Sequence, residues 1–175
     1  MTANGTYEGE RTPKAQSAEP TEVASASYLP SPVEKVRQQV ADYERTGGRE
    51  GGEIDGLPVI VLTTIGAKSG ALRKTPLMRI KHGTDYVVVA SRGGRDDNPQ
   101  WYYNLIACPR LQVRDGTDVS ARFARQLRGL EYERWWRRAV CVYPFYAIMQ
   151  AKTKRPFPLF LLEVVCFSEP DIPLT

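Results

Sequence analysis

Histidine and cysteine are scarce in this chain. His82 is the single histidine of 175 residues, and Cys108, Cys141 and Cys166 are the three cysteines. One histidine argues against a histidine-based metal site or a Cys-His pair. It lies in Lys81-His82-Gly83-Thr84, which reads as a hairpin turn between two apolar runs, so a Ser-His-Asp triad would have to draw it out of that turn into a cleft. Cysteines that are widely spaced and odd in number read as reduced, buried thiols rather than as a disulfide frame. Long apolar runs are missing too: Val59 to Leu62 and Tyr86 to Ala90 fall far short of the roughly 20 residues that a membrane-spanning helix needs, so no integral membrane segment is expected. No charged-then-apolar leader opens the chain. The first thirty residues are polar and rich in Ala, Ser, Thr, Glu and Pro, and are read as a flexible tail (1–30) of a cytoplasmic protein.

What remains is enough for one core. With 42% hydrophobic content, a single domain is expected over 31–168, followed by a short C-terminal tail, 169–175. The net charge of +4 is modest, but its distribution is uneven. Between Ala67 and Arg95 stand Lys68, Arg73, Lys74, Arg79, Lys81, Arg92 and Arg95 against one acid, Asp85, a balance that calls for an anionic partner.

Ser31-Pro32-Val33-Glu34 has the form of a capping box with proline in the first helical position, and Val33, Val36, Val40 and Tyr43 follow at helical spacing up to Thr46-Gly47-Gly48. An amphipathic helix is predicted there. Pro58–Ile65, Leu72–Ile80 and Asp85–Ser91 read as three strands of a meander. Asn98–Ala107 reads as a helix, and Leu111–Arg114 and Val119–Leu127 as a hairpin around Asp115-Gly116 in which Val119, Ala121 and Phe123 form one buried face. Glu131–Val142 and the segment from Pro144 read as helices, and Pro158–Val165 as a last strand. Trp135 and Trp136 are assigned to helix packing. No repeat at solenoid spacing appears. The mixture indicates an α+β fold built on an antiparallel barrel rather than alternating βαβ units.

Two turns carry the chemistry. Thr63-Thr64-Ile65-Gly66-Ala67-Lys68-Ser69-Gly70, with Arg73 close behind, is a Gly-rich turn with cations and hydroxyls suited to an anion. It is neither a P-loop nor a dinucleotide fingerprint. Ala90-Ser91-Arg92-Gly93-Gly94 ends the third strand, and in a meander the ends of the first and third strands share an edge, so the two turns should converge. Trp101, Tyr102 and Tyr103 add flat apolar surface beside them, as an aromatic cofactor with an anionic tail requires.

These segments, together with Asn98-Pro99-x-Trp101-Tyr102-x-Asn104-Leu105 and Tyr143-Pro144-x-Tyr146, resemble the deazaflavin-dependent nitroreductase family over roughly Val33 to Val165. The resemblance implies a split antiparallel β-barrel, coenzyme F420 as hydride donor, and small-molecule acceptors such as nitroaromatics, quinones and activated enones. By position, Ala67, Lys68, Ser69, Arg73, Thr75 and Pro76 would hold the cofactor's phosphate and oligoglutamate tail. Val89, Ala90, Ser91, Arg92 and Gly93 with Gln100, Trp101, Tyr102 and Asn104 would line the deazaflavin. Ser91 would lie near the reacting face, and Tyr143 and Tyr146, with Met149 one turn on, would close the substrate side. Ser91, Tyr143 and Tyr146 are the candidate hydrogen-bond donors to the developing anion. In two places the chain departs from the family: Ala67 stands where relatives often carry Arg, and Met149 where a tyrosine occurs. Barrels of this kind often pair through a sheet face, so a homodimer is a further expectation.

Three alternatives stand beside this reading: a flavin mononucleotide enzyme on the same barrel, a non-catalytic carrier of the deazaflavin or of a fatty ligand, and a nucleic-acid-binding domain whose aromatics stack on bases. The last is disfavoured, because the cations fall at Gly-containing turns rather than along one extended face.

Overall fold

The computed structural model describes residues 26–165. Its elements in chain order are α1 (Glu34–Thr46), β1 (Glu53–Ile54), β2 (Leu57–Ile65), β3 (Leu72–Met78), β4 (Ile80–His82), β5 (Asp85–Val89), a short 3₁₀ turn (Arg92–Gly94), α2 (Gln100–Ala107), β6 (Arg110–Asp115), β7 (Asp118–Gln126), α3 (Gly129–Val142), α4 (Phe145–Gln150) and β8 (Leu159–Val164). The hydrogen-bonded order is β1-β2-β6-β7-β8-β5-β4, with β3 on the other side of β2, and the named strands pair antiparallel throughout.

The segment expected as one strand, Leu72–Ile80, is bent at Arg79. Its first half pairs with β2, Val59 opposite Met78, and its continuation pairs with β5, Ile80 opposite Val87. The two halves thus belong to opposite ends of the sheet order, and the bend curls the sheet into a split β-barrel. Pro76 is tolerated because β3 has β2 as its one strand neighbour and makes no second ladder that would need an N–H. The meander is real in chain order, and the bend makes it part of a barrel.

Strand alternation sorts side chains between three cores. Ile60 and Leu62 of β2, Tyr86 and Val88 of β5, and Phe160 and Leu162 of β8 point into the barrel, where Trp101 and Leu105 of α2 join them. The intervening residues of β5 and β8, Val87, Val89, Leu159 and Leu161, point outward beneath Trp135, Ala139 and Tyr146 of α3 and α4. Val59 and Val61 point outward beneath Val40 and Tyr43 of α1. Fully buried side chains such as Leu62, Ile80 and Leu162 each stabilise the fold by about 2 to 5 kcal/mol, judged against truncation to alanine. Trp135 packs in the second core with its edge to the His82 ring, and Trp136 stacks on Tyr132, which confirms their assignment to helix packing.

Several expectations need correction. The face of β7 is reversed: Val119 and Phe123 are 48% and 43% exposed, while Arg122 and Ala124 point inward. The apolar alternation misled because Arg122 is a charged residue with internal partners. Its guanidinium donates to the Thr84 and Leu162 carbonyls and lies over the Tyr86 ring, which satisfies a buried cation. The capping box is also displaced. Ser31 Oγ accepts from the Val33 N–H, so the serine closes a local turn before the helix, which begins at Glu34 with Val33 as its N-cap residue. Part of the expected tail is held in place: Tyr28 bridges to Leu72, and backbone bonds run from Leu29 to Leu72 and from Leu72 to Ser27. Residues 1–25, the C-terminal tail at 169–175 and Cys166 lie outside the described residues. Cys108 is half-buried and Cys141 exposed, both as free thiols, so Cys141 is not a core residue. No helix among the described residues is long and apolar enough to cross a membrane.

Candidate cofactor site

The β2–β3 turn is closed by its own backbone: Ser69 and Gly70 donate to the Gly66 carbonyl, and Gly66 donates to Ala71. The Ala67 N–H is used as well, because it donates to Asn104 Oδ1 at 3.0 Å, while Asn104 Nδ2 donates to Thr64 Oγ1 at 3.1 Å. Asn104 is 2% exposed and pins α2 to the turn, so its amide positions the site instead of waiting for a ligand. The turn therefore offers few spare N–H groups to an anion, and what it offers instead is side chains. A cavity of about 570 Å³ opens against it, lined by the expected Ala67, Lys68, Ser69, Arg73, Thr75, Arg92, Gln100, Trp101 and Asn104. Lys74 adds a further cation, and no acidic side chain among the described residues lines the space.

The expected convergence of the two turns holds to the extent that Arg92 reaches this cavity. The cations differ in availability, however, which corrects the reading of the basic segment as a whole. Lys74 is bound to Glu44 at 2.7 Å, Arg79 and Lys81 meet Asp115, and Arg92 and Arg95 meet Asp97. Among the described residues, Lys68 and Arg73 of this segment have no carboxylate partner. Arg73 donates at 3.3 Å to the Leu29 and Pro30 carbonyls. Leu29, Ser31, Pro32 and Val33 form one wall of the cavity. Sequence reasoning assigned them to a tail and a cap, and nothing in the local pattern distinguishes such a wall from either.

Pro76, Val89, Ala90, Ser91, Gly93 and Tyr102 do not line this cavity. Pro76 is buried in β3, Val89 faces the second core, and Ala90 and Tyr102 belong to the barrel core. Ser91 is half-buried in the loop after β5, which is fastened by a residue that no motif singled out. Arg155 donates to the carbonyls of Ala90, Ser91 and Arg95 and to Asn98 Oδ1, and Thr153 Oγ1 donates to Asp96. Gly94 sits under α4 at φ +86°, and a Cβ there would come within 2.7 Å of the Met149 carbonyl oxygen.

Tyr143, Tyr146 and Met149 likewise lie apart from the cavity, in and against the core beneath α3 and α4. Their link to the loop after β5 runs through the Met149 backbone at Gly94. The Tyr143 and Tyr146 rings meet edge to face at 5.1 Å. Tyr143 donates to Asp55 Oδ2 at 2.6 Å; this bond, aided by burial, pushes its hydroxyl up to about 12. Burial, with a smaller contribution from Tyr143, pushes the Tyr146 hydroxyl up as well. Asp55 escaped sequence reasoning although a signal was there: Asp55-Gly56 between Ile54 and Leu57 marks a two-residue hairpin, and both residues adopt positive φ.

A cavity that, among the described residues, has no acidic lining and two cations without carboxylate partners beside a tryptophan fits an aromatic cofactor with an anionic tail. The family model for F420H(2)-dependent quinone reductases matches residues 35–164. The chain belongs to that family. An F420H(2)-dependent quinone reductase of Mycobacterium tuberculosis is 34% identical over 137 residues, covering 74% of this chain and 90% of the relative. Among solved structures, an F420-H2 dependent reductase (FDR-A) is 48% identical, with a TM-score of 0.58 over 61% of this chain and 94% of its own. Another, described as a domain-swapped dimer, is 42% identical, with a TM-score of 0.60 over 72% and 92%. As a member of this family the protein is an oxidoreductase that uses coenzyme F420. The deazaflavin expectation and the split barrel both hold, and the flavin mononucleotide alternative falls to the family's cofactor.

Proposed function

We propose that this F420-dependent reductase acts on an electron-poor organic acceptor, a quinone in the first instance, with activated enones and nitro compounds as further acceptors, enones of polycyclic polyketides in natural-product tailoring among them. The observation that carries the reading is the cavity with Lys68 and Arg73 left without carboxylate partners among the described residues, beside Trp101. When bound, reduced F420 supplies a hydride.

The chain's own residues do the rest. Lys68 and Arg73 neutralise the phosphate and glutamate carboxylates, with Ser69 as a hydroxyl donor, and Gln100 and Trp101 bound the space beside the ring. Asn104 and Arg155 hold the two loops in register. Ser91 and Tyr146 are hydrogen-bond donors for the anionic oxygen that forms on the acceptor, and α3 and α4 keep water from it. Met149 gives the acceptor side an apolar, adaptable surface.

Titrating the protein with F420 by its fluorescence, then following oxidation of reduced F420 with quinones, enones and nitro compounds, tests this reading. Submicromolar to micromolar binding and quinone-dependent oxidation are expected, with no turnover from NADPH, since no dinucleotide fingerprint is present. Robust NADPH-dependent turnover, or binding without turnover on any acceptor, overturns it, and the latter result would favour a carrier. A homodimer through the open outer face of β6 and β7 is supported by the exposed Val119 and Phe123. Phe123→Glu is expected to yield a monomer in sedimentation, and a wild-type protein already monomeric at high concentration refutes the pairing.

A further inference from the structure

The β1–β2 turn belongs to none of the motifs, yet its aspartate reaches the end of α3. Asp55 adopts φ +52° in a two-residue hairpin, and its Oδ2 takes the Tyr143 hydroxyl proton at 2.6 Å. Turn geometry alone accounts for Asp or Asn at that position but does not require the carboxylate to meet a buried tyrosine. Tyr143 is 8% exposed and Tyr146 5% exposed, with their rings edge to face. The Tyr146 hydroxyl makes no hydrogen bond to another described residue. The two hydroxyls are therefore unequal: one proton is committed to a carboxylate, while the other is free.

We propose that Asp55 is a positioning residue. By holding the Tyr143 proton it turns the Tyr143 oxygen into a hydrogen-bond acceptor, and it leaves Tyr146 as the donor on the acceptor side. The inference rests on the reading that α4 faces the acceptor. In reduction of a quinone, the hydride would leave the C–H bond of the bound reduced cofactor and bond to one quinone oxygen, the ring electrons would settle on the other carbonyl oxygen, and that oxygen would take a proton from solvent to give the hydroquinone. Tyr146 donates to the forming oxyanion. Tyr143, with its lone pairs available, orients the Tyr146 hydroxyl or the hydroxyl of the product. The titratable groups facing Tyr143 are Asp55 from the turn and Tyr146 from α4. Replacing the carboxylate by an amide trades the charge-assisted hydrogen bond that chiefly raises the Tyr143 hydroxyl for a weaker neutral one, so Tyr143 ionises at lower pH and sets a negative charge beside the forming anion.

Asp55→Asn and Asp55→Gly both suit a positive-φ turn, so the hairpin survives each change. Tyrosinate absorbance between pH 10 and 11, compared with wild type and with the corresponding Tyr143→Phe double variants, reads the ionisation directly. One additional tyrosinate in Asp55→Asn, absent when Tyr143 is phenylalanine, is expected. With quinone, kcat should fall roughly tenfold while F420 affinity stays within twofold, and the alkaline limb of the rate should move to lower pH. No additional tyrosinate overturns the proposal outright. An additional tyrosinate with unchanged kinetics also overturns it, and Tyr146→Phe then tells what else fails. If that variant lowers turnover, the role of Asp55 alone is wrong; if it too turns over normally, the reading of α4 as the acceptor side falls with it.

Discussion

The two glycine-containing basic turns look alike in sequence and differ in structure. The β2–β3 turn spends its backbone N–H groups on itself and on Asn104, and leaves Lys68 and Arg73 without carboxylates among the described residues. The loop after β5 does the reverse: Arg92 and Arg95 are paired with Asp97, and Arg155 grips the loop's carbonyls. One turn leaves its cations without carboxylates among the described residues, and the other is held in shape. What separates them is the acids and carbonyls that the fold brings to each, not the number of cations they carry.

Four substitutions sharpen or break that contrast. Arg155→Ala is expected to have the largest effect. It removes every fastening of Ala90, Ser91 and Asn98 by one guanidinium, lowering stability by about 3 kcal/mol and loosening the loop enough to weaken F420 binding; unfolding and titration of the same sample check both. Asn104→Ala should cost about 2 kcal/mol, because it orphans the Thr64 hydroxyl and the Ala67 N–H, and an unchanged melting temperature would refute its bracing role.

Lys68→Ala should leave stability alone and weaken F420 binding by about 1 to 3 kcal/mol, with the loss shrinking as salt rises. If Lys68→Ala binds as wild type, the anion site is misplaced. Arg95→Ala, whose Asp97 contact is 3.9 Å long and exposed, should shift neither quantity by more than about 0.5 kcal/mol. If Arg95→Ala matched Lys68→Ala in binding, the division between the two turns would collapse.

Much of the architecture was legible beforehand because local pattern and burial agree along β2, β5 and β8, where alternate residues face two separately covered cores. Legibility failed on β7, where Val119, Ala121 and Phe123 alternate convincingly but face outward. A charge such as Arg122 counts as surface in any local reading, and only the Thr84 and Leu162 carbonyls, distant in sequence, make its burial tolerable. The site divides in the same way. Lys68, Arg73, Gln100 and Trp101 could be named from their motifs, whereas Arg155, Asp55 and the wall at Leu29 to Val33 could not, since each acts on groups brought to it from elsewhere in the chain.

By itself, then, the amino-acid sequence determined most of the strands and helices, the Gly-rich, basic composition of the first turn and, through the spacing of its motifs, the cofactor class. Short-range periodicity, glycine at turns and residue chemistry act over a few residues, and these features need nothing more. The tertiary structure decided the bend at Arg79 that closes the barrel, which cations are left without carboxylates among the described residues, and which tyrosine hydroxyl is tied to a carboxylate. Each of those depends on where an acid, a carbonyl or an open edge from a remote segment comes to rest, and electrostatic pairing is set by distance in space, not along the chain.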